Sequence, residues 1–319
     1  MKRISFFFFS ALLTLVVGCA GSHTKKENGY KVSEESVATT LKFLTCDELK
    51  GRDPGTEGIE EAAKYLEEVF VKNSIKPYFI TYRDTLSNFS KPAYNIVGYL
   101  EGNDPKLKNE VVVIGAHYDH VGIGKAVAGD SIYNGADDNA SGTTAVAEFV
   151  NYYAKAKTNK RSILFCFFSA EEKGLLGSKH LAAKLKQANM NVYLMLNYEM
   201  IGVPMPAGKD MVAFMTGYGK SNLAEKINEY SGKKFIGYYD FAIKYQLFRA
   251  SDNYPFYTEF NIPAHTFSTT DMESFHYYHQ PGDEFDEMDT AHMADFIQQM
   301  IPITEKLINA ETKEIVLKD

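Results

Sequence analysis

The chain has 319 residues, 45% of them apolar and 24% charged, with 23 Gly, 10 Pro and three Cys. That balance excludes a disordered, collagen-like or disulfide-stapled protein and suits one large core. Lys and Arg number 34 against 41 Asp and Glu, a net charge of -7 with no basic block beyond the first residues, which excludes a role built on binding nucleic acid.

Met1-Lys2-Arg3, the apolar run from Ile4 to Val17 and Gly18 before Cys19 read as the charged, apolar and cleavage regions of a signal peptide over residues 1–18. The run is shorter than the roughly 20 residues a spanning helix needs. Leu15-Val16-Val17-Gly18-Cys19 resembles a bacterial lipobox. That resemblance implies a diacylglycerol on Cys19 and attachment to a membrane of the bacterial cell envelope, facing outside the cytoplasm. Residues 19–31 are expected to form a flexible tether and residues 32–319 a single domain.

Apolar residues at helical spacing predict a helix from about Val32 to Leu49 and a second from Thr56 to Asn73, with Gly51-Arg52-Asp53-Pro54-Gly55 as the turn between them. Strands are expected at Tyr78–Arg83, Tyr94–Leu100, Glu110–Ala116, Ser162–Phe168 and Val192–Leu196. Helical patterns at Thr143–Ala156, Gly177–Ala188, Lys220–Ser231 and Met288–Ala310 fall among and after them. Apolar strands alternating with helices predict an α/β layer fold around a largely parallel sheet. Cys166 lies in a buried strand and Cys46 in a distant helical pattern, so no disulfide is expected between them.

Open α/β sheets bind ligands at the carboxyl ends of their strands, so the residues following each run matter most. His117-Tyr118-Asp119-His120 follows one, Glu171-Glu172 another, and Glu199 a third. The polar loop Asn134-Gly135-Ala136-Asp137-Asp138-Asn139-Ala140-Ser141-Gly142 lies between the first two. Any one of these has an ordinary explanation as a helix cap or a solvated turn. Several strand ends delivering His and carboxylates to one edge point instead to a cation, because clustered carboxylates repel unless one offsets them.

These segments, with Gly51-Arg52, Gly55-Thr56, Ser169-Ala170, Gly174-Leu175-Leu176-Gly177-Ser178 and Tyr278-His279-Gln280-Pro281-Gly282-Asp283, resemble the co-catalytic zinc exopeptidases of metallopeptidase family twenty-eight. Leucyl-type aminopeptidases, glutamate carboxypeptidase and glutaminyl cyclases belong to that family, and the similarity runs from about Leu49 to the C-terminal helix. The resemblance implies a three-layer α/β/α, phosphorylase/hydrolase-like fold with a mostly parallel mixed sheet and two zinc ions. It implies His117 and His279 as ligands of opposite ions, Asp138 bridging both, Glu172 and Glu199 as terminal ligands, and Asp119 orienting His117. Glu199 stands where many members have Asp. Glu171 matches the general acid and base acting through a metal-bridged hydroxide.

Ser251, Asp252, Asn253 and Phe256 resemble a segment near the family's substrate pocket, and Phe241, Phe248, Phe275, Tyr277 and Tyr278 crowd the same half of the chain. No arginine cluster is present to clamp a carboxylate, Arg249 being the one candidate, which favours attack on peptide N-termini over C-termini. Carboxypeptidase action, glutaminyl cyclase action and a non-catalytic binding role on the same fold are the competing readings.

Overall fold

The computed structural model describes Met1 and residues 29–318; the expected signal peptide and Cys19 lie outside the described residues. Tyr30, assigned above to the tether, belongs to the folded unit. Its hydroxyl donates to Glu148 Oε2 at 2.8 Å and its ring meets Tyr152 edge-on.

Helix α1 (Glu34–Leu44) starts where Ser33 Oγ accepts the Ser36 N–H at 3.1 Å, with Glu34 and Glu35 in its first turn. It stops at Leu44 rather than running on to Leu49. Arg52, fully buried, donates from Nη1 to the Leu44 carbonyl at the helix end, and Asp47–Arg52 form a separate short turn with Lys50 and Gly51 left-handed. Helix α2 (Glu57–Lys72) matches its expected span, burying Ile59, Ala62, Ala63, Leu66 and Phe70 on one stripe.

The strand expected at Tyr78–Arg83 is replaced by two short strands, β1 (Lys76–Pro77) and β2 (Arg83–Thr85), which share the outer edge of β3 (Tyr94–Leu100). The chain between them loops outward and leaves Ile80 fully exposed. The apolar residues there serve a loop instead of an alternating strand: Tyr78 and Phe79 pack against one core and Tyr82 against the other, while Ile80 packs on neither.

The remaining elements are β4 (Val111–His117), the hairpin β5 (Gly122–Val127) and β6 (Asp130–Tyr133), α3 (Gly142–Ala156), β7 (Ser162–Phe168), α4 (Leu176–Gln187), β8 (Val192–Tyr198), β9 (Ala213–Met215), α5 (Leu223–Ser231), β10 (Ile236–Gly237), α6 (Asp240–Lys244), α7 (Asn253–Phe260), β11 (Ala264–Ser268) and α8 (Thr290–Asn309). The main sheet runs β1-β3-β7-β4-β8-β11-β9-β10, with β2 also on β3. Its middle strands, β7, β4, β8 and β11, are parallel, while β3 and β9 join the two sides antiparallel. The sheet is thus mixed around a parallel centre, as expected.

Side chains alternate across this centre. Ile163, Phe165 and Phe167 of β7 join the core under α1, α2, α3, α5 and α8; Leu164, Cys166 and Phe168 join the core under α4 and α7. Both faces being covered explains why these strands read as unbroken apolar runs. Cys46 and Cys166 are both free. After β4 the chain passes to β7 on one side, then returns to β8 on the other, so a crevice opens at the carboxyl end of β4.

Candidate metal centre

Five segments meet at that crevice, and hydrogen bonds between backbone groups and buried side chains hold three of them, those after β4, before α3 and after β7. Arg52 is the first anchor. Its guanidinium donates to the carbonyls of Tyr118 (2.8 Å), Asn134 and Gly135 (3.0 Å), tying the loop after β4 to the loop before α3. Burial draws its pKa down to about 10, opposed by the charges of Asp283, Asp119 and Asp138.

Asp283 is the second anchor. Its two carboxylate oxygens accept the backbone N–H groups of Asp137 (2.7 Å) and Asp138 (3.0 Å). Asp119 is the third, accepting the N–H groups of Glu171 (3.1 Å) and Glu172 (3.3 Å). The expected contact of Asp119 with His117 runs through a different atom: His117 Nδ1 meets the Asp119 carbonyl at 3.2 Å, and the carboxylate lies 3.8 Å away. A carboxylate that holds two backbone N–H groups is turned toward the neighbouring loop.

The two aspartates of the 134–142 loop separate cleanly. Asp137 is consumed internally, accepting from the Gly202 N–H at 2.7 Å, Ser141 Oγ at 3.2 Å and Thr270 Oγ1. Asp138 instead turns one oxygen toward each of two histidines. Oδ1 lies 3.4 Å from His117 Nε2, and Oδ2 lies 3.1 Å from His279 Nε2. That is the disposition of a carboxylate shared by two cations.

His117, Asp138 and Glu199 offer one set of ligand atoms within 4.8 Å of one another. A second set, within the same limit, is His120, Asp138, Glu172 and His279. The five residues expected as ligands are therefore brought together, and His120 joins them. Zinc fits this donor set. The Nε2 atoms of His117 and His279 are buried and meet no hydrogen-bond partner, while the carboxylate oxygens facing them stand at ligand-to-ligand spacing.

Glu199, one methylene longer than the Asp common at its position, is restrained at its far oxygen. Ser251 Oγ donates to Glu199 Oε2, and Ser251 Oγ accepts from Asn197 Nδ2 at 2.9 Å. Asn197 also donates to Thr266 Oγ1 at 3.1 Å, which donates in turn to Asn253 Oδ1 at 2.8 Å.

The electrostatics are those of a site that wants positive charge. Burial, reinforced by Glu199, Asp252, Glu172 and Asp119, pushes the Glu171 carboxyl well above its ordinary range. Burial raises Asp119 and Glu199 to about 7 each, with His117 opposing both. Burial disfavours a charged His117, but Asp138, Glu199 and Asp119 outweigh it and hold the imidazole up at about 9. Such mutual perturbation marks functional sites more often than structural ones.

A cleft opens beside this centre, lined by Met200, Phe214, Leu247, Ala250, Met272 and Tyr278 together with Glu171, Glu199 and Asp138. Of the expected pocket segment only Ser251 reaches it. Asp252, Asn253 and Phe256 are buried behind it because α7 turns its Asn253–Phe256 face toward the sheet, where Phe256 packs on Phe168. Phe241 stacks with Tyr239 and Tyr245, Phe248 packs against Tyr257 and His265, and Phe275 pairs with Tyr277, so of that aromatic group Tyr278 alone lines the cleft. Arg249 is exposed near the Tyr254 ring and does not line it.

The family model described as Peptidase family M28 matches residues 95–304. Leucine aminopeptidase 1 of Paracoccidioides brasiliensis is 32% identical over 196 residues, 58% of this chain and 47% of that protein. The chain thus spans less than half the length of the curated relatives it matches first. Among solved structures, a zinc aminopeptidase from Bacillus subtilis superposes with a TM-score of 0.67 at 15% identity, covering 90% of this chain and 98% of that one. A glutaminyl cyclase from Porphyromonas gingivalis superposes with a TM-score of 0.66 at 15% identity, covering 86% and 99%. These last two likenesses show the fold.

Proposed function

The chain belongs to peptidase family M28, and on that premise we propose that it is a zinc-dependent aminopeptidase releasing apolar residues from peptide N-termini. His117, Asp138 and Glu199 would hold one zinc ion; Asp138, Glu172 and His279 would hold a second. Zinc bound there polarises a scissile carbonyl and acidifies the attacking water.

The chain's own residues supply the rest. Glu171 stands in the cleft wall, its backbone fixed by Asp119 and its carboxyl raised by burial among carboxylates. A proton acceptor works best when its pKa lies near the working pH, and cations held by the neighbouring ligands would lower the raised pKa of Glu171. Its carboxylate oxygen takes the proton of the attacking water and returns it to the departing amine nitrogen. Met200, Phe214, Leu247, Ala250 and Met272 exclude water and accept an apolar side chain.

The observation that carries the direction of attack is the charge of the cleft. Its lining holds Glu171 and Glu199 and no Lys or Arg. An N-terminal ammonium is attracted there, whereas a C-terminal carboxylate is repelled and finds no guanidinium to pair with. The lipobox sequence at Cys19 supports a lipid-anchored enzyme of the bacterial cell envelope.

Zinc-loaded protein incubated with an apolar-led peptide, blocked at one end or the other, tests the reading by mass spectrometry. Shortening that only N-terminal blocking abolishes is expected. Shortening that only C-terminal blocking abolishes overturns the direction. Loss of ammonia from a Gln-led peptide without shortening overturns hydrolysis in favour of cyclisation.

A further inference from the structure

We propose that His120 is a metal ligand in its own right, closing one of the two metal sites with four protein atoms and leaving the other with three. This rests on the zinc reading above and deepens it.

His120 is fully buried, and its Nδ1 lies 3.0 Å from Glu172 Oε1 and 3.8 Å from Asp138 Oδ2. His279 Nε2 lies 3.1 Å from each of the same two oxygens. Atoms bound tetrahedrally to zinc at about 2.0–2.1 Å stand roughly 3.3 Å apart, and these four separations, 3.0–3.8 Å, bracket that spacing. The other nitrogen of His120, Nε2, is buried without a partner, so the polar contacts recorded for the ring are all with this cluster.

The backbone makes room for the ring. A Cβ on Gly135 would stand 2.5 Å from His120 Cγ and Cδ2 and 2.2 Å from the Asp138 carbonyl, so the left-handed glycine (φ +58) before the aspartate loop is what lets His120 reach the site.

The two sites also differ in what they face. The cleft is lined by Glu199 of the three-atom set and by Asp138, which both sets share, while His117, His120, Glu172 and His279 do not line it. Zinc sites with four protein ligands hold metal structurally, whereas catalytic sites keep a position open. Through Glu199 the three-atom side borders the substrate cleft, and the His120 side, with four protein ligands, is the one that holds its ion more tightly.

The competing role for His120 is a hydrogen bond to Glu172 alone, and His120→Asn separates the two because its amide N–H can replace that donor but not the imidazole ligand. Metal-free wild type and variant are titrated with zinc against a chromogenic chelator, and each is loaded with one equivalent of cobalt(II) for visible spectroscopy. The wild type should take two ions in two steps, and its first cobalt should show the strong absorption of four-coordinate cobalt. In His120→Asn the tight step should weaken at least ~100-fold, beyond the 10–100-fold typical of losing an outer hydrogen bond, while the second step changes little. A variant that titrates like wild type, or a first cobalt in wild type with the weak absorption of higher coordination, overturns the assignment. Wild-type protein that binds no zinc overturns the underlying zinc reading instead.

Discussion

Asp283 does not line the cleft, yet the geometry makes it a support of the whole centre. Both its oxygens accept backbone N–H groups, those of Asp137 and of the bridging candidate Asp138. Asp283→Asn keeps the shape and replaces one acceptor by an N–H donor, which then faces a backbone N–H. One charge-assisted bond is lost, worth about 1.5–3 kcal/mol, and a buried donor is left unpaired, which costs a comparable amount. Allowing for overlap between the two, the loss is about 2–4 kcal/mol, and a folded unit of about 290 residues unfolds with an entropy near 0.6 kcal/mol/K. Thermal unfolding of the metal-free protein should therefore shift down by about 3–7 °C. Zinc affinity, measured against a chelator, should fall about 10–100-fold because Asp138 is no longer held in place. A melting temperature within about 1 °C of wild type together with unchanged zinc affinity would refute the reasoning.

Ser251→Ala frees Glu199 Oε2 and should weaken the weaker of the two zinc-binding steps about tenfold or more, read by the same titration; unchanged binding would show that the hydroxyl does not position Glu199. His265, buried between Ser221 Oγ and the Thr216 carbonyl, has its pKa drawn by burial from 6.5 down to about 4. The unfolded chain therefore binds the extra proton first, so stability is retained above about pH 6.5 and falls by roughly 3 kcal/mol as pH drops toward 4. Urea unfolding across that window should be less pH-dependent in His265→Gln, and an unchanged slope would contradict the assignment. Cys19→Ser should move the protein from the membrane to the soluble fraction, and persistence in the membrane fraction would refute lipid anchoring.

The centre was legible because its chemistry sits where strands end. His117, Glu171, Glu172 and Glu199 each follow an apolar run, and a buried parallel strand announces itself by such a run. The resemblance pointed to Asp138 as the bridging residue, and its neighbour Asp137 spends its oxygens on Gly202, Ser141 and Thr270. The cleft was not legible. Phe214 comes from a three-residue strand, Leu247 and Ala250 from a tight turn, and Met272 from a loop, so no periodicity links them. Aromatic crowding misled because Phe256 and Phe248 serve the interior. Arg52 and Asp283 stood in recognised motifs, but their work is to hold carbonyl and N–H groups brought together only by the fold. His120 was passed over for a related reason, since nothing in the sequence says that its ring turns toward Glu172.

In the proposed zinc-dependent cleavage at peptide N-termini, Glu171 moves the proton. The most direct test of that role compares wild type and Glu171→Gln, counting zinc per chain and following release of the first residue from an apolar-led peptide. Unchanged zinc content is expected, with turnover lower by at least ~100-fold, the usual contribution of a positioned proton carrier. A variant that still cleaves at the wild-type rate, or one that loses its zinc along with its activity, would contradict that role.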